Sequence, residues 1–425
     1  MSMLSIPILE TVGNVYVVKW SEGVEITFQR LYDHRDYHVD AEITVVDVEE
    51  LNPRLIGPVR SSITKTWRAM VHDLEEVSER EDWRQRLRQA SQLVLERHRT
   101  GAPVVALGDY DPPEPTSEIL EGVIWEGMPT LVYGPGGIGK SIIGLNILSA
   151  IHTGRAMAGL EAKQSNSLIL DWETSDRQTW WRNAEILRAN DISPNSWEDP
   201  QAPDSGRTGM VFYRFMHGPL ADDVEYLRQQ IAEKNIGTIC VDSAGPACGG
   251  EPESAAPTLK FFESLRMLTD HDKPLQSLII AHVTHAARAG TVKSSPFGSV
   301  YWQNIPRQVF ELQSAQTEGA NHSDYALHHR KSNLGPLRKP LAFRLTWGQG
   351  CIIEPLDLRS NARLVAGLDL PDRARILLED SGSMPTAQLA DVTGFTERVI
   401  NAELGRDSRF TIGSDGAWSA SESDW

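Results

Sequence analysis

Hydrophobic and polar positions follow three different rhythms along this chain, and each change of rhythm divides it. In residues 1–60, β-branched and aromatic runs at 14–20, 24–31 and 37–46 are separated by short polar breaks, which predicts strands. Between 61 and 99 the period becomes helical, with Trp67, Met70, Leu74, Trp83, Leu87 and Leu93 in phase, which predicts one or two charged helices. Together these stretches read as a small α+β module over residues 1–105. The run Asp-Tyr-Asp-Pro-Pro-Glu-Pro at 109–115 has the composition of a linker, taken as 106–118.

From about 118 to 355 strand and helix patterns alternate. Strands are expected at 129–133, 167–171, 211–215, 238–242 and 276–281, with helices starting near Lys140, Asp176, Ala221 and Thr258. That alternation predicts an α/β fold, a parallel sheet covered by helices on both faces, over residues 119–360. Past Ser299 shorter strands at 307–313, 324–330, 341–347 and 350–355 suggest an antiparallel extension of the same sheet. In residues 366–425, helical stretches at 371–380, 385–393 and 396–405 precede a hairpin turning at Ser414-Asp415-Gly416, which is the winged-helix order.

The chain has 425 residues, enough for two or three domains. It shows neither a membrane-spanning apolar run nor a signal-peptide pattern. Cys240, Cys248 and Cys351 have no ligand spacing and suggest no disulfide framework. A soluble, cytoplasmic protein without a membrane partner is expected. The net charge of −17 is opposite to that of a simple nucleic-acid coat, so any contact with DNA or RNA needs a local basic patch.

The chemistry concentrates where an apolar run, Thr130-Leu131-Val132-Tyr133, meets Gly134-Pro135-Gly136-Gly137-Ile138-Gly139-Lys140-Ser141 and then an apolar-periodic segment at 142–151. Strand, glycine-rich loop and helix in that order match G-x-x-x-x-G-K-S/T. Gly134, Gly136, Gly137 and Gly139 free the backbone to aim several amides at one phosphate chain, and the helix N-terminus adds partial positive charge. Lys140 reaches the outer phosphates and the Ser141 hydroxyl is placed to ligate Mg²⁺. Residues 134 and 136–142, including Ile138 and Ile142, are therefore the expected contacts for a nucleoside triphosphate, ATP being the expected one. Thr238-Ile239-Cys240-Val241-Asp242-Ser243 is an apolar strand ending in a carboxylate, the Walker B pattern, and assigns Asp242 to Mg²⁺. Leu168-Ile169-Leu170-Asp171-Trp172-Glu173 ends another strand in acids, which places Glu173 or Asp171 near the terminal phosphate, Glu173 being preferred as the group that orients water. The strand 278–281 runs into His282-Val283-Thr284-His285, where His282 or Thr284 is placed to sense that phosphate. No carboxylate or cysteine at useful spacing supports a metal site at the two histidines.

These residues resemble the RecA-like ATPases, and within them the RepA-type hexameric helicase group of plasmids and phages. The segment 120–134 before the loop, Gly298-Ser299-Val300-Tyr301-Trp302-Gln303-Asn304-Ile305-Pro306-Arg307, and Arg330-Lys331-Ser332-Asn333-Leu334-Gly335-Pro336 are similar to segments of that group. The resemblance covers about 120–355. It implies a RecA fold, a ring homo-oligomer of six subunits, and ATP sites between neighbours. It also implies that Lys140 and Ser141 hold phosphates and Mg²⁺, Glu173 activates water, Asp242 orders Mg²⁺ and His282 senses the terminal phosphate. Arg307 would be the finger reaching a neighbour's nucleotide, with Lys331 a second nucleotide-contacting candidate. The chain departs from the family in its histidine order, in the reduced basic pair around Lys331, and in Pro306, which restricts the backbone just before Arg307.

In such a ring the loops after the Walker B and sensor strands face a central channel. The second of these, 285–298, carries Arg288 and Lys293 and no acid. Six copies would supply about a dozen positive charges, able to grip single-stranded DNA by its phosphates. The C-terminal stretch 366–425 has five Arg and no Lys against eleven Asp+Glu, a net of −6, which favours a protein partner over DNA there, although Arg398, Asn401, Arg406 and Arg409 could form a basic face. The leading expectation is an ATP-driven motor or loader on single-stranded DNA, of replicative-helicase type. The alternative is a RecA-like switch that regulates a partner protein docked on the N-terminal module or the winged helix. A small-molecule kinase would need an arginine-rich lid and an acceptor pocket, and neither is visible.

Overall fold

The computed structural model describes residues 5–12, 15–33, 39–50, 53–64, 67–80, 82–100, 106, 116–192, 210–269, 274–283, 295–348 and 350–421. The chain divides into two compact units, Met1–Pro115 and Thr116–Trp425.

The first unit is an antiparallel sheet of five strands in sequential order. They are β1 (Ile8–Val12), β2 (Val15–Lys19), β3 (Val24–Asp33), β4 (Val39–Asp47) and β5 (Arg54–Ser62). The period of two is strict in β4: Val39, Ala41, Ile43 and Val45 are buried while their neighbours are partly exposed. Their buried face packs with Met70 and Leu74 of α1 (Arg68–Val77) and Trp83, Leu87, Ala90 and Val94 of α2 (Trp83–Thr100). The two strands that the pattern does not signal are the edges. In β1, Ile8 is exposed, and β5 carries Gly57 and Pro58 and buries little, so neither shows a clean alternation.

The second unit is built on a nine-stranded sheet, ordered β10-β9-β11-β12-β8-β13-β14-β15-β16. After a short hairpin, β6 (Glu118–Leu120) and β7 (Ile124–Trp125), its strands are β8 (Pro129–Gly134), β9 (Asn166–Asp171), β10 (Phe212–Phe215), β11 (Ile236–Asp242), β12 (Gln276–His282), β13 (Gln308–Gln316), β14 (His322–Ser332), β15 (Leu341–Trp347) and β16 (Cys351–Pro355). The apolar runs are continuous because both faces are covered. In β8, Val132 joins the cluster under α3 (Lys140–Thr153) and α4 (Asp176–Ala189), whereas Leu131 and Tyr133 join the cluster under α5 (Leu220–Glu233) and α7 (Ala255–Met267). A four-residue helix, α6 (Ala244–Ala247), follows β11 directly.

The expected antiparallel extension needs one correction. Strand β13 pairs with β8 in parallel, and only β14, β15 and β16 are antiparallel to their neighbours. The chain leaves β12 at its C-terminal end and returns through α8 (Tyr301–Asn304) to the N-terminal end of β8, where Arg307 N–H donates to the Pro129 carbonyl at 2.9 Å. A strand that starts beside the start of β8 must run in the same direction.

Residues 362–421 complete this unit. After α9 (Ala362–Ala366) come α10 (Leu370–Ser381), β17 (Met384–Pro385), α11 (Thr386–Thr393), α12 (Glu397–Leu404), β18 (Phe410–Ile412) and β19 (Ala417–Ala420). The three strands pair as β17-β19-β18, over a core that includes Ala374, Leu378, Leu389, Ile400, Leu404 and Trp418. Arg409, one of the residues considered for a basic face, is committed to Asp407 and Asp372, both at under 3 Å. No helix among the described residues is long and apolar enough to cross a membrane, and all three cysteines are buried and free.

Candidate active site

Four neighbouring parallel strands end in one line. In register, Asp171 of β9 lies beside Asp242 of β11, Asp242 beside Ile280 of β12, and His282 of β12 beside Gly134 of β8. The strand directions thus bring residues more than a hundred positions apart to the carboxyl edge of the sheet, where open α/β folds bind ligands. The cleft there has a volume of about 730 Å³ and is lined by Gly137, Gly139, Lys140, Ser141, Glu173, Asp242 and His282, among others.

At two points the loop between β8 and α3 leaves no room for a Cβ. Gly139 has φ +97°, and a Cβ there would lie 2.6 Å from Tyr325 Oη. A Cβ on Gly134 would lie 2.7 Å from both Ile138 Cδ1 and the Leu312 carbonyl oxygen. Gly139 is also the N-cap residue of α3, so the first amides of that helix carry no side-chain cap and open onto the loop.

Lys140 is buried at the base of this loop. Its Nζ donates to the Pro135 carbonyl at 2.8 Å and lies 3.4 Å from His282 Nδ1. Burial pushes the ammonium down to about 8, opposed by the carboxylates of Asp242 and Glu173. Burial likewise pushes Asp242 up to about 6, countered in part by its hydrogen bond with Ser141 and raised further by Glu173 and Asp171. The Ser141 hydroxyl and the Asp242 carboxylate are therefore a contacting pair of hard oxygen donors.

Glu173 is half exposed into the cleft and is held from two sides. Ser243 Oγ donates to its Oε1 at 2.6 Å, and His282 Nε2 stands 3.8 Å from the same oxygen. The neighbouring His282, then the Ser243 hydroxyl and the charge of Lys140, hold the carboxyl down at about 2. Nδ1 of His282 faces the Lys140 ammonium and Nε2 faces the Glu173 carboxylate. His282 thus bridges the lysine and the glutamate.

Asp171, the other acid at this strand end, has a different position. It is buried, its Oδ1 accepts the backbone N–H of Glu173 and Thr174 at 2.9 Å each, and its Oδ2 accepts the Thr179 hydroxyl at 3.3 Å. Those bonds fix the turn that presents Glu173. Arg307 and Lys331 lie outside the cleft, at the opposite end of the sheet. Arg307 sits beside Pro129, one strand length, about 16 Å, from the glycine-rich loop. Arg307 is exposed, and Lys331 Nζ donates to the carbonyls of Asn304 and Pro306 at 2.7 and 2.6 Å. Thr284, Arg288 and Lys293 lie outside the described residues.

The cleft also includes Thr174, Arg182, Trp347 and Cys351, which sequence patterns did not single out. Trp347 pairs with Cys351 across the β15–β16 turn, and Asn146 Nδ2 on α3 lies 3.7 Å from Cys351 Sγ. That tertiary contact brings the turn to the P-loop helix. The sequence pattern placed strands at 341–347 and 350–355 but gave no neighbour for the turn between them.

A family model described as an AAA domain matches residues 89–288, just under half of the chain. That span holds the glycine-rich loop, Glu173, Asp242 and His282. Over this span the chain is similar to P-loop ATPases of the AAA type. The nine-stranded sheet continues beyond the matched span into β13–β16, and the match begins within α2 of the first unit. Among solved structures, a KaiC-like protein from the hyperthermophilic archaeon Pyrococcus horikoshii OT3 is 14% identical, with 57% of this chain and all of that one covered at a TM-score of 0.38. No curated protein sequence matches the chain.

Proposed function

We propose that this chain is an ATP-hydrolysing motor that acts on single-stranded DNA as a ring of subunits, of replicative-helicase or loader type. The observation that carries its ATP half is the convergence of Lys140, Ser141, Asp242, Glu173 and His282 on one cleft behind a loop that admits no Cβ at 134 or 139. Backbone amides of the loop and the Lys140 ammonium bind the phosphates. Ser141 and Asp242 would hold Mg²⁺, which would offset negative charge on the triphosphate. Glu173, ionised at neutral pH and fixed by Ser243 and His282, accepts a hydrogen bond from the attacking water and takes up its proton.

The DNA half rests on connectivity. His282 contacts both Lys140 and Glu173, and the residues that follow it in sequence lead to Arg288 and Lys293. A change at the terminal phosphate is felt by His282 and passed along the chain to those cations. Arg307 in the neighbouring subunit supplies positive charge to the developing transition state, which makes turnover depend on assembly. The net charge of −17 favours a second reading, a RecA-like switch that regulates a partner protein without moving on nucleic acid. ATP turnover separates the two. A motor is stimulated by single-stranded DNA, and the stimulation is lost in Arg288→Ala with Lys293→Ala. Turnover indifferent to DNA, with no salt-dependent binding, selects the switch.

A further inference from the structure

In an acidic chain, α2 is an outlier: it carries five arginines and one glutamate. Arg86 is buried and paired with Asp82 and Glu22, so it belongs to the fold of the first unit. The others point outward. Arg84, Arg88 and Arg99 line one groove of about 920 Å³, together with Arg68 of α1 and Trp67. Their spacing explains this. At 100° per residue, positions 84, 88 and 99 fall within about 60° of one another on the helix, and they extend about 22 Å along it. Arg68, Arg84 and Arg88 make no ion pair among the described residues. Glu96 is the single acid of the groove lining, and Ser91 and Gln92 add polar groups along its floor. Trp67 is partly buried against the core of the first unit and shows its remaining surface to the groove.

We propose that this groove of the N-terminal unit is a second binding site for single-stranded nucleic acid, in which the arginines track the phosphates and Trp67 stacks a base. Rows of guanidinium groups match phosphate oxygens, and an aromatic beside them is what a single strand offers its bases to. An acidic peptide would use the arginines but leave the tryptophan without a role. The site does not depend on the ATP-driven reading, because it lies in a separate unit with its own core.

The test uses the full-length chain carrying Arg288→Ala and Lys293→Ala, so that the residues after the sensor strand contribute nothing. Fluorescence anisotropy of a labelled oligodeoxythymidylate is followed against salt. Adding Arg84→Ala with Arg88→Ala is expected to weaken binding by about tenfold or more and to flatten the slope of log K against log salt by about 1.4, two phosphate contacts' worth for a single strand. Trp67→Ala is expected to weaken binding about tenfold with the slope unchanged, and Trp67→Phe to restore most of it. Circular dichroism melting shows whether each variant is folded. If Arg84→Ala with Arg88→Ala binds as tightly as its parent, or polyglutamate displaces the oligonucleotide at equal charge, or the parent does not bind at all, the proposal is overturned. DNA-stimulated ATP turnover, measured on the otherwise unaltered chain, judges the motor separately.

Discussion

Lys140 and Glu173 share one cleft, yet their surroundings act on them in opposite ways. Burial weakens the hold of the lysine on its proton, while His282 and Ser243 strengthen the ionised form of the glutamate. A carboxamide at 173 keeps the shape but cannot take a proton, so Glu173→Gln is expected to bind ATP normally and to lose turnover by about 10²–10⁴-fold. Lys140→Ala is expected to abolish hydrolysis altogether. Both are read by phosphate release alongside equilibrium nucleotide binding. The shifted groups also couple binding to protons. A triphosphate restores the charge of Lys140, so association near pH 8 should take up a fraction of a proton. Metal at Asp242 favours the carboxylate, so association near pH 6 should release one in part. Calorimetry in buffers of different ionisation enthalpy gives both signs. In the nucleotide-free protein the stability linkage follows the same shifts. The lowered lysine contributes stability above its ordinary range that is lost as pH falls through about 8. The raised aspartate contributes stability at low pH that is lost as pH rises through about 6.

At the scale of elements, the site is one turn placed on one strand edge. The β8–α3 connection was legible because its glycines and lysine are contiguous and its flanks are unambiguous. The reason for Gly139 became visible only in the fold, where Tyr325 of β14 closes on it from the far side. Gly139→Ala combines a left-handed φ with that clash, and should lower stability by about 1–3 kcal/mol while impairing ATP binding. Chemical denaturation and nucleotide titration measure the two effects. Adding Tyr325→Phe should recover only part of the loss, since the backbone strain remains. The edge strands β1 and β5 were missed or blurred for an equally local reason: an edge buries one side poorly and tolerates Gly57 and Pro58.

At the scale of the whole molecule, the position of Arg307 bears on the proposed site between subunits. It lies at the far end of the sheet from its own P-loop, so a role at a nucleotide requires another subunit. Arg307→Ala and Lys140→Ala, each inactive alone, should therefore regain part of the turnover when mixed, because some interfaces then pair an intact loop with an intact arginine. Titrating one variant into the other and following phosphate release checks this, and mass measurement with an ATP analogue, with and without an oligonucleotide, reports the assembly. Absence of complementation at concentrations where the subunits associate would remove Arg307 from the shared site.

By itself, the amino-acid order determined the P-loop, the identity of Asp242 and Glu173, the alternation of strands and helices, and the charge of each region, because each of these is written in neighbouring residues through backbone freedom, periodicity or composition. Tertiary structure decided the rest. Strand order carried Asp171, Asp242, His282 and Gly134 to one edge. Packing gave Asp171 to a turn and Glu173 to the cleft, and the return of the chain made β13 parallel. Contact between α3 and the β15–β16 turn brought in Trp347, and the arginines of α1 and α2 gained a common groove. Such facts depend on which surfaces meet, and residues far apart in sequence meet only when the sheet and its helices have closed over a shared core.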